Sequence, residues 1–162
     1  MSRRTDLTDA ISLQIRRQQV RTDAFDDAIS IALGINRSDH RTLDVLDQEG
    51  SMPAGQLAKA VGLSTAAMTT VIDRLEARGF AARKPDPADR RRVLVEVAPE
   101  FHKAMWPYYA PLGQMAEEVY DQFTDDELEV LLRFLEAANE RFSGMVDDLK
   151  ARLAENPPPP RR

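Results

Sequence analysis

Cysteine is absent from this chain of 162 residues, which excludes disulfides, thiolate metal sites and cysteine-based peroxide sensing. Long apolar runs are missing too. Residues 1–20 lack the hydrophobic stretch of a signal peptide, and no segment approaches the roughly 20 apolar residues of a membrane helix. The expected setting is therefore cytoplasmic, with no membrane partner. No phosphate-cradling glycine loop, activated-serine context or paired-histidine motif occurs, so an enzyme is not expected, and no cofactor. The two histidines, His40 and His102, stand without ligand-like spacing, which argues against a metal site.

What the chain does have is an uneven distribution of charge. The net charge of −5 is unpromising for a nucleic-acid binder as a bulk figure. Residues 101–155, however, carry twelve acidic against five basic side chains, whereas residues 72–95 carry seven basic against four acidic. Phosphate contact depends on the field at the docking face, not on the whole-molecule charge.

Apolar periodicity divides the chain into helices with one β-hairpin between them. Residues 5–34 are helix-compatible, with Leu7, Ile11, Ile15, Phe25, Ile29 and Leu33 among charged neighbours and Gly34 as the stop. Asn36 or Ser38 caps the next helix, whose Leu43 and Leu46 face inward and which ends at Gly50. Pro53 suits the first turn of the following helix. After Arg78 and Gly79 the period changes to two: Phe80–Lys84 and the alternating Val93, Val95 and Val97 read as strands joined by Pro85-Asp86-Pro87-Ala88-Asp89. Pro99 opens a helix in which Trp106-Pro107 and Ala110-Pro111 predict a bend or break near 106–111. The last helix begins at a capping box, Thr124-Asp125-Asp126-Glu127. It carries Leu128, Leu131, Leu135, Ala138, Phe142, Met145 and Leu149 at 3-4 spacing, the seam of an intermolecular helix pair. A stiff, extended, disordered tail, Pro157 to Pro160 with Arg161 and Arg162, is expected to follow.

The most informative segment is 54–75. Ala58 stands four residues before Gly62, with Leu57, Val61, Leu63, Met68, Val71 and Leu75 as apolar contacts. A small residue where two short helices cross, and a glycine at the turn between them, are the requirements of a helix-turn-helix. A hairpin following it makes a winged helix. Ser64 is the expected N-cap of the recognition helix. Opposite its apolar face lie Ala66, Thr69, Thr70, Asp73 and Arg74, with Thr65 exposed at the start. Threonine hydroxyls reach base edges or phosphates, alanine meets a thymine methyl, and arginine pairs with guanine. At the wing tip, Arg90, Arg91 and Arg92 alternate sides, so they divide the work. Arg90 is expected in a minor groove, and Arg91 in an internal salt bridge to Asp73 or Asp89. Outside this setting the same threonines and arginines would be only a solvated polar surface.

The run 71–97, with Asp-Arg-Leu-Glu-Ala-Arg-Gly at 73–79 and Asp-Pro-Ala-Asp-Arg-Arg at 86–91, resembles the multiple-antibiotic-resistance regulator (MarR) family. There a "DRLExxG" helix end leads to a "DPxDRR" wing and a "VxVxLT" strand. The likeness covers roughly 36–100, and the flanking helix pattern fits over most of the chain. It implies a winged-helix homodimer with interlocked terminal helices, and a repressor released by a small, often aromatic or anionic, ligand near the dimer junction. The usual "LTxxG" is replaced by Val97-Ala98-Pro99-Glu100-Phe101.

The expected fold is therefore mainly α with a small β-hairpin wing. Residues 1–35 are read as an N-terminal dimerisation helix, 36–98 as the DNA-binding domain, 99–155 as C-terminal dimerisation helices and 156–162 as the tail. The expected partners are double-stranded DNA bearing a pseudo-palindromic operator, a second copy of the chain, and a small-molecule effector. Phe25, His40, Trp106 and Tyr109 are the candidate ligand set, at the junction of the first, second and fifth helices. Dimer core with a satisfied histidine would explain the same four residues. Two alternatives stand beside this reading: a winged-helix protein–protein module without specific DNA binding, and a DNA binder blind to ligands.

Overall fold

Six helices and one hairpin make up the computed structural model, which describes residues 2–156. The predicted tail from Pro157 onward lies outside the described residues. The chain divides into two compact units, with the boundary in sequence between Ala110 and Pro111.

In the first unit, α1 (Arg3–Leu33) ends where Gly34 adopts φ 63°, a left-handed turn that a Cβ would strain. The Arg78 guanidinium packs over this turn, and its Nη1 donates to the Leu33 carbonyl at 3.1 Å. Only the C-terminal end of α1 is buried, through Ile29 and Ser30; Leu7, Ile11 and Ile15 are exposed. Helix α2 (Arg37–Glu49) starts at a full capping box. The Asn36 side chain accepts from the Asp39 amide at 2.9 Å, and the Asp39 carboxylate accepts from the Asn36 amide at 3.2 Å.

Helix α3 (Ala54–Val61) and helix α4 (Thr65–Ala77) form the helix-turn-helix. Pro53 is the N-cap of α3, one position earlier than predicted, and its carbonyl accepts from Gln56 and Leu57. Gly62 turns the chain at φ 82°, with the Gly62 and Leu63 amides both donating to the Ala58 carbonyl. Ala58, buried, lets the helices approach, and Leu57, Met68, Ile72 and Leu75 fill the core between them. Strand β1 (Ala81–Pro85) pairs antiparallel with β2 (Val93–Val97), from Ala81↔Val97 to Pro85↔Val93. The first strand begins one residue later than predicted because the Phe80 amide still closes the helix exit onto the Leu75 carbonyl. Met52 adds a bridge to the free edge of β2, and Val95 between them is 1% exposed, which anchors the wing to the core.

Helix α5 is continuous over Pro99–Tyr120, so of the bend or break expected near 106–111 the break does not occur. Pro107 and Pro111 stand one turn apart on an exposed face. The carbonyls that they deprive of an amide partner, those of Lys103 and Pro107, belong to exposed residues and can be satisfied by water. In the second unit, α6 (Asp125–Glu155) begins at the predicted capping box, with Thr124 and Glu127 exchanging hydrogen bonds. No residue of α6 is buried, and its seam residues Phe142, Met145 and Leu149 are more than half exposed. None of the described helices is long and apolar enough to cross a membrane.

Candidate nucleic-acid interface

Helix α4 turns its two faces to different uses. Met68, Val71, Ile72 and Leu75 are buried at 4% exposure or less, which leaves Thr65, Ala66, Thr69 and Thr70 on the outer face. The Ser64 hydroxyl oxygen accepts from the Ala67 amide at 3.2 Å as the N-cap, and its O–H can still donate outward. The Thr65 and Ala66 amides have no partner within the helix, as first-turn amides do not, and they point out of the N-terminus toward any docked anion. Thr69 and Thr70 donate back to the carbonyls of Thr65 and Ala66 at 3.0 and 3.3 Å. Their oxygens keep lone pairs for an incoming donor, and the hydroxyls can rotate outward.

Arg74, the residue expected at a guanine, sits against Asp39 of α2. Its Nε lies 3.1 and 2.9 Å from the two Asp39 carboxylate oxygens, and its Nη2 also contacts Oδ1. Asp39 is wholly buried and needs a cation, so Arg74 is drawn in to α2, and this hydrogen bond raises the arginine's proton affinity further.

Arg83, which sequence reasoning missed, ties the wing to the recognition helix. From β1 its guanidinium contacts Glu76 and reaches Asp73 at 2.7 Å, while its amide donates to Glu76 Oε1 at 2.9 Å. Both carboxylates lie on α4, so one side chain and one amide fix the angle between hairpin and helix. The available signal was Asp73 and Glu76 one turn apart, ahead of a strand with a basic residue. With Asp73 taken in this way, Arg91 turns to Asp89 at 3.4 Å and remains 92% exposed. Arg92 lies 3.8 Å from Asp86, whose Oδ1 accepts from the Ala88 amide in the wing turn. Arg90 has no carboxylate partner among the described residues.

Of the predicted ligand set, the structure brings Phe25 and Tyr109 together and leaves Trp106 exposed. Phe25 and Tyr109 meet edge to face, with ring centroids 5.6 Å apart, and pack against the core. Trp106 is 69% exposed on α5, because its position in the helix turns it away from the buried Phe101 and Met105. His40 lines a cleft of about 680 Å3 between α1, α2 and the α3–α4 turn, and the other three do not line that cleft.

The family model described as "MarR family" matches residues 35–93, the segment from the cap of α2 to the start of β2. A Bacillus subtilis (strain 168) protein described as the uncharacterized HTH-type transcriptional regulator YcgE is 33% identical over 147 residues, covering 91% of this chain and 96% of its own. The multiple antibiotic resistance protein MarR of Salmonella typhimurium is 28% identical over 100 residues, covering 61% of this chain and 69% of its own. Among solved structures, a MarR family protein from Bacillus stearothermophilus superposes with a TM-score of 0.63 at 20% identity, over 88% of this chain and 99% of that one. The motifs around the wing, the helix-turn-helix geometry and a regulator aligned nearly end to end agree: the chain belongs to the MarR family of DNA-binding transcriptional regulators.

Proposed function

We propose that the protein works as a homodimeric repressor of a pseudo-palindromic operator and leaves it when a small molecule binds. Each α4 enters a major groove through Thr65, Ala66, Thr69 and Thr70. The amides at its N-terminus and Ser64 hold a phosphate, and the wing tip carries Arg90 into the flanking minor groove, with Arg91 and Arg92 beside it. Arg74 acts from behind, as the residue that positions α4 on α2.

The observation that carries this reading is the exposed threonine–alanine face of α4 together with a wing arginine that no carboxylate among the described residues engages. A dimer is supported by Leu131, Leu135, Phe142, Met145 and Leu149. These residues follow one stripe of α6 at 41–66% exposure, more apolar surface than a lone soluble chain usually presents. With two copies the half-sites are centred roughly 34 Å apart, about one turn of the duplex.

The test is fluorescence anisotropy on the intergenic DNA upstream of the protein's own gene, against a random duplex of equal length, across a salt series. The reading requires tighter binding to the upstream DNA, a second half-site one turn away in the footprint, and affinity that falls steeply with salt. Equal affinity for both duplexes would overturn it.

A further inference from the structure

His40 is 2% exposed, and its ring tautomer is fixed by its surroundings. Its Nδ1 lies 3.0 Å from Ser30 Oγ and 3.1 Å from the Asp26 carbonyl oxygen. The Ser30 hydroxyl proton is already committed, since Ser30 Oγ donates to that same carbonyl at 2.7 Å. Both neighbours of Nδ1 are therefore acceptors, and Nδ1 carries the proton. In the neutral ring, Nε2 is left as a bare lone pair, and it has no hydrogen-bond partner. When no proton lies between them, Nε2 and Asp44 Oδ1, 3.5 Å apart, confront each other as two acceptors across the wall of the cleft.

The field in the cleft has a sign. Asp26 and Asp44 line it, and the Asp44 carboxyl is pushed above its ordinary range by burial first, partly offset by His40, and then by Asp26 and Asp47. The Tyr109 phenol is pushed up to about 12 by burial and by the same three carboxylates. The lining carboxylates Asp23, Asp26 and Asp44 outnumber the two lining arginines: Arg37 is held by Asp23 and Asp27 at 3.5 and 3.7 Å, and Arg41, exposed, also lines the cleft. A donor placed between His40 Nε2 and Asp44 would satisfy both, and a positive charge on it would relieve the repulsion among the carboxylates. The volume of about 680 Å3 suits a small organic molecule.

We infer that this cleft takes a small organic cation with N–H donors, a protonated amine or amidine, held by His40 Nε2 and the carboxylates of Asp44 and Asp26. This deepens the effector reading given above and rests on it only for the consequence to DNA. It differs in charge from the aromatic or anionic ligand that the family resemblance implies. The cleft also touches the helix-turn-helix directly through Gly62 and Leu63, and His40 follows Asp39, the partner of Arg74, in α2.

The experiment is isothermal titration calorimetry of the full chain with benzamidine and with benzoate, a cation and an anion of nearly equal size. Benzamidine is expected to bind at least about tenfold tighter than benzoate, and Asp44→Asn to weaken it about tenfold or more. Cooperative thermal unfolding of the variant shows that it is folded, and His40→Gln, which trades the bare ring nitrogen for an amide, must weaken binding as well. Benzoate binding as tightly as benzamidine, or benzamidine binding Asp44→Asn undiminished, would overturn the inference. Operator anisotropy separates the two readings. Benzamidine that binds but leaves the DNA complex intact supports the cation site and removes the effector role. Benzoate that releases DNA while benzamidine fails to bind keeps the effector and sinks the cation site.

Discussion

Arg74 on the recognition helix grips Asp39 at the start of α2 through both carboxylate oxygens, and Asp39 at the same time closes the capping box of its own helix. One buried carboxylate thus fixes the start of α2 and the position of α4. Asp39 is completely buried, whereas the Arg74 side chain is 37% exposed. Arg74→Leu leaves the carboxylate without its cation and is expected to destabilise the fold by about 2 kcal/mol. That is less than the usual loss for a fully buried pair, because the guanidinium still sees water. Adding Asp39→Asn to Arg74→Leu should recover part of the loss. Urea unfolding of the two single variants and the double, at one fixed protein concentration, checks this; strictly additive losses would contradict it.

Arg83 and Arg90 both belong to the hairpin, yet they should fail differently. Arg83 is occupied by Asp73 and Glu76, so Arg83→Ala loosens the angle between wing and helix without removing a phosphate contact. Operator affinity should fall several-fold while the slope of log K against log salt stays as it was. Arg90→Ala should lower that slope by about one. Salt titrations of the two variants in parallel separate geometry from charge.

The helix-turn-helix and wing were legible because their local rules are strict. A small Ala58, a turn at Gly62, a Ser64 cap and a change of period after Gly79 each have one structural use, and each is found in that use. The capping box at Thr124 was legible for the same reason. Partner choice among charged groups was not. Sequence spacing placed Asp73, Arg74, Arg83 and the three wing arginines near one another, but which carboxylate each meets depends on burial. Asp39 is inside and claims Arg74, and Glu76 is reachable from β1 and claims Arg83 together with Asp73. Helix phase decides which of the ligand candidates meet. Trp106 and Tyr109 are three residues apart on α5, but Trp106 is exposed and only Tyr109 meets Phe25.

Tyr109 should titrate late. Burial and the carboxylates of Asp26, Asp44 and Asp47 hold its phenol neutral up to about 12, against an ordinary value of 10.0. The folded state therefore keeps a proton that the unfolded chain gives up earlier. The stability this contributes is full below pH 10 and is lost as pH rises toward 12. In an ultraviolet titration of the three tyrosines, the late component should disappear in Tyr109→Phe.

Asp44 works in the same direction at the acid end. Its folded carboxyl is raised above 3.8, mostly by burial, so the folded protein holds this proton more tightly than the unfolded chain does. The resulting stabilisation is complete below 3.8 and is lost as pH climbs through the raised value, which leaves an ionised Asp44 as a net cost at neutrality. Asp44→Asn should melt higher than the parent at pH 7, with the gap closing near pH 3.5. A gap that stays constant across that window would show that the carboxyl is not the cause.

The stripe on α6 is the remaining exposed feature with an energetic consequence. Leu135 is 44% exposed and Phe142 66% exposed in the single chain. Burying such side chains between two copies yields roughly 1.5–3 kcal/mol each when burial is complete. A glutamate in the seam would lose this and bring an unpaired charge into the interface. It would also add to a segment that already carries twelve acidic residues against five basic. Leu135→Glu should therefore shift the protein toward monomer in sedimentation-velocity runs at micromolar concentration. Operator affinity should fall with it, because a lone α4 loses the second half-site and the binding energy that comes from joining two. The change should act on assembly and not on the winged helix. A Leu135→Glu variant that sediments as the parent does and still binds two half-sites would place the dimer contact elsewhere.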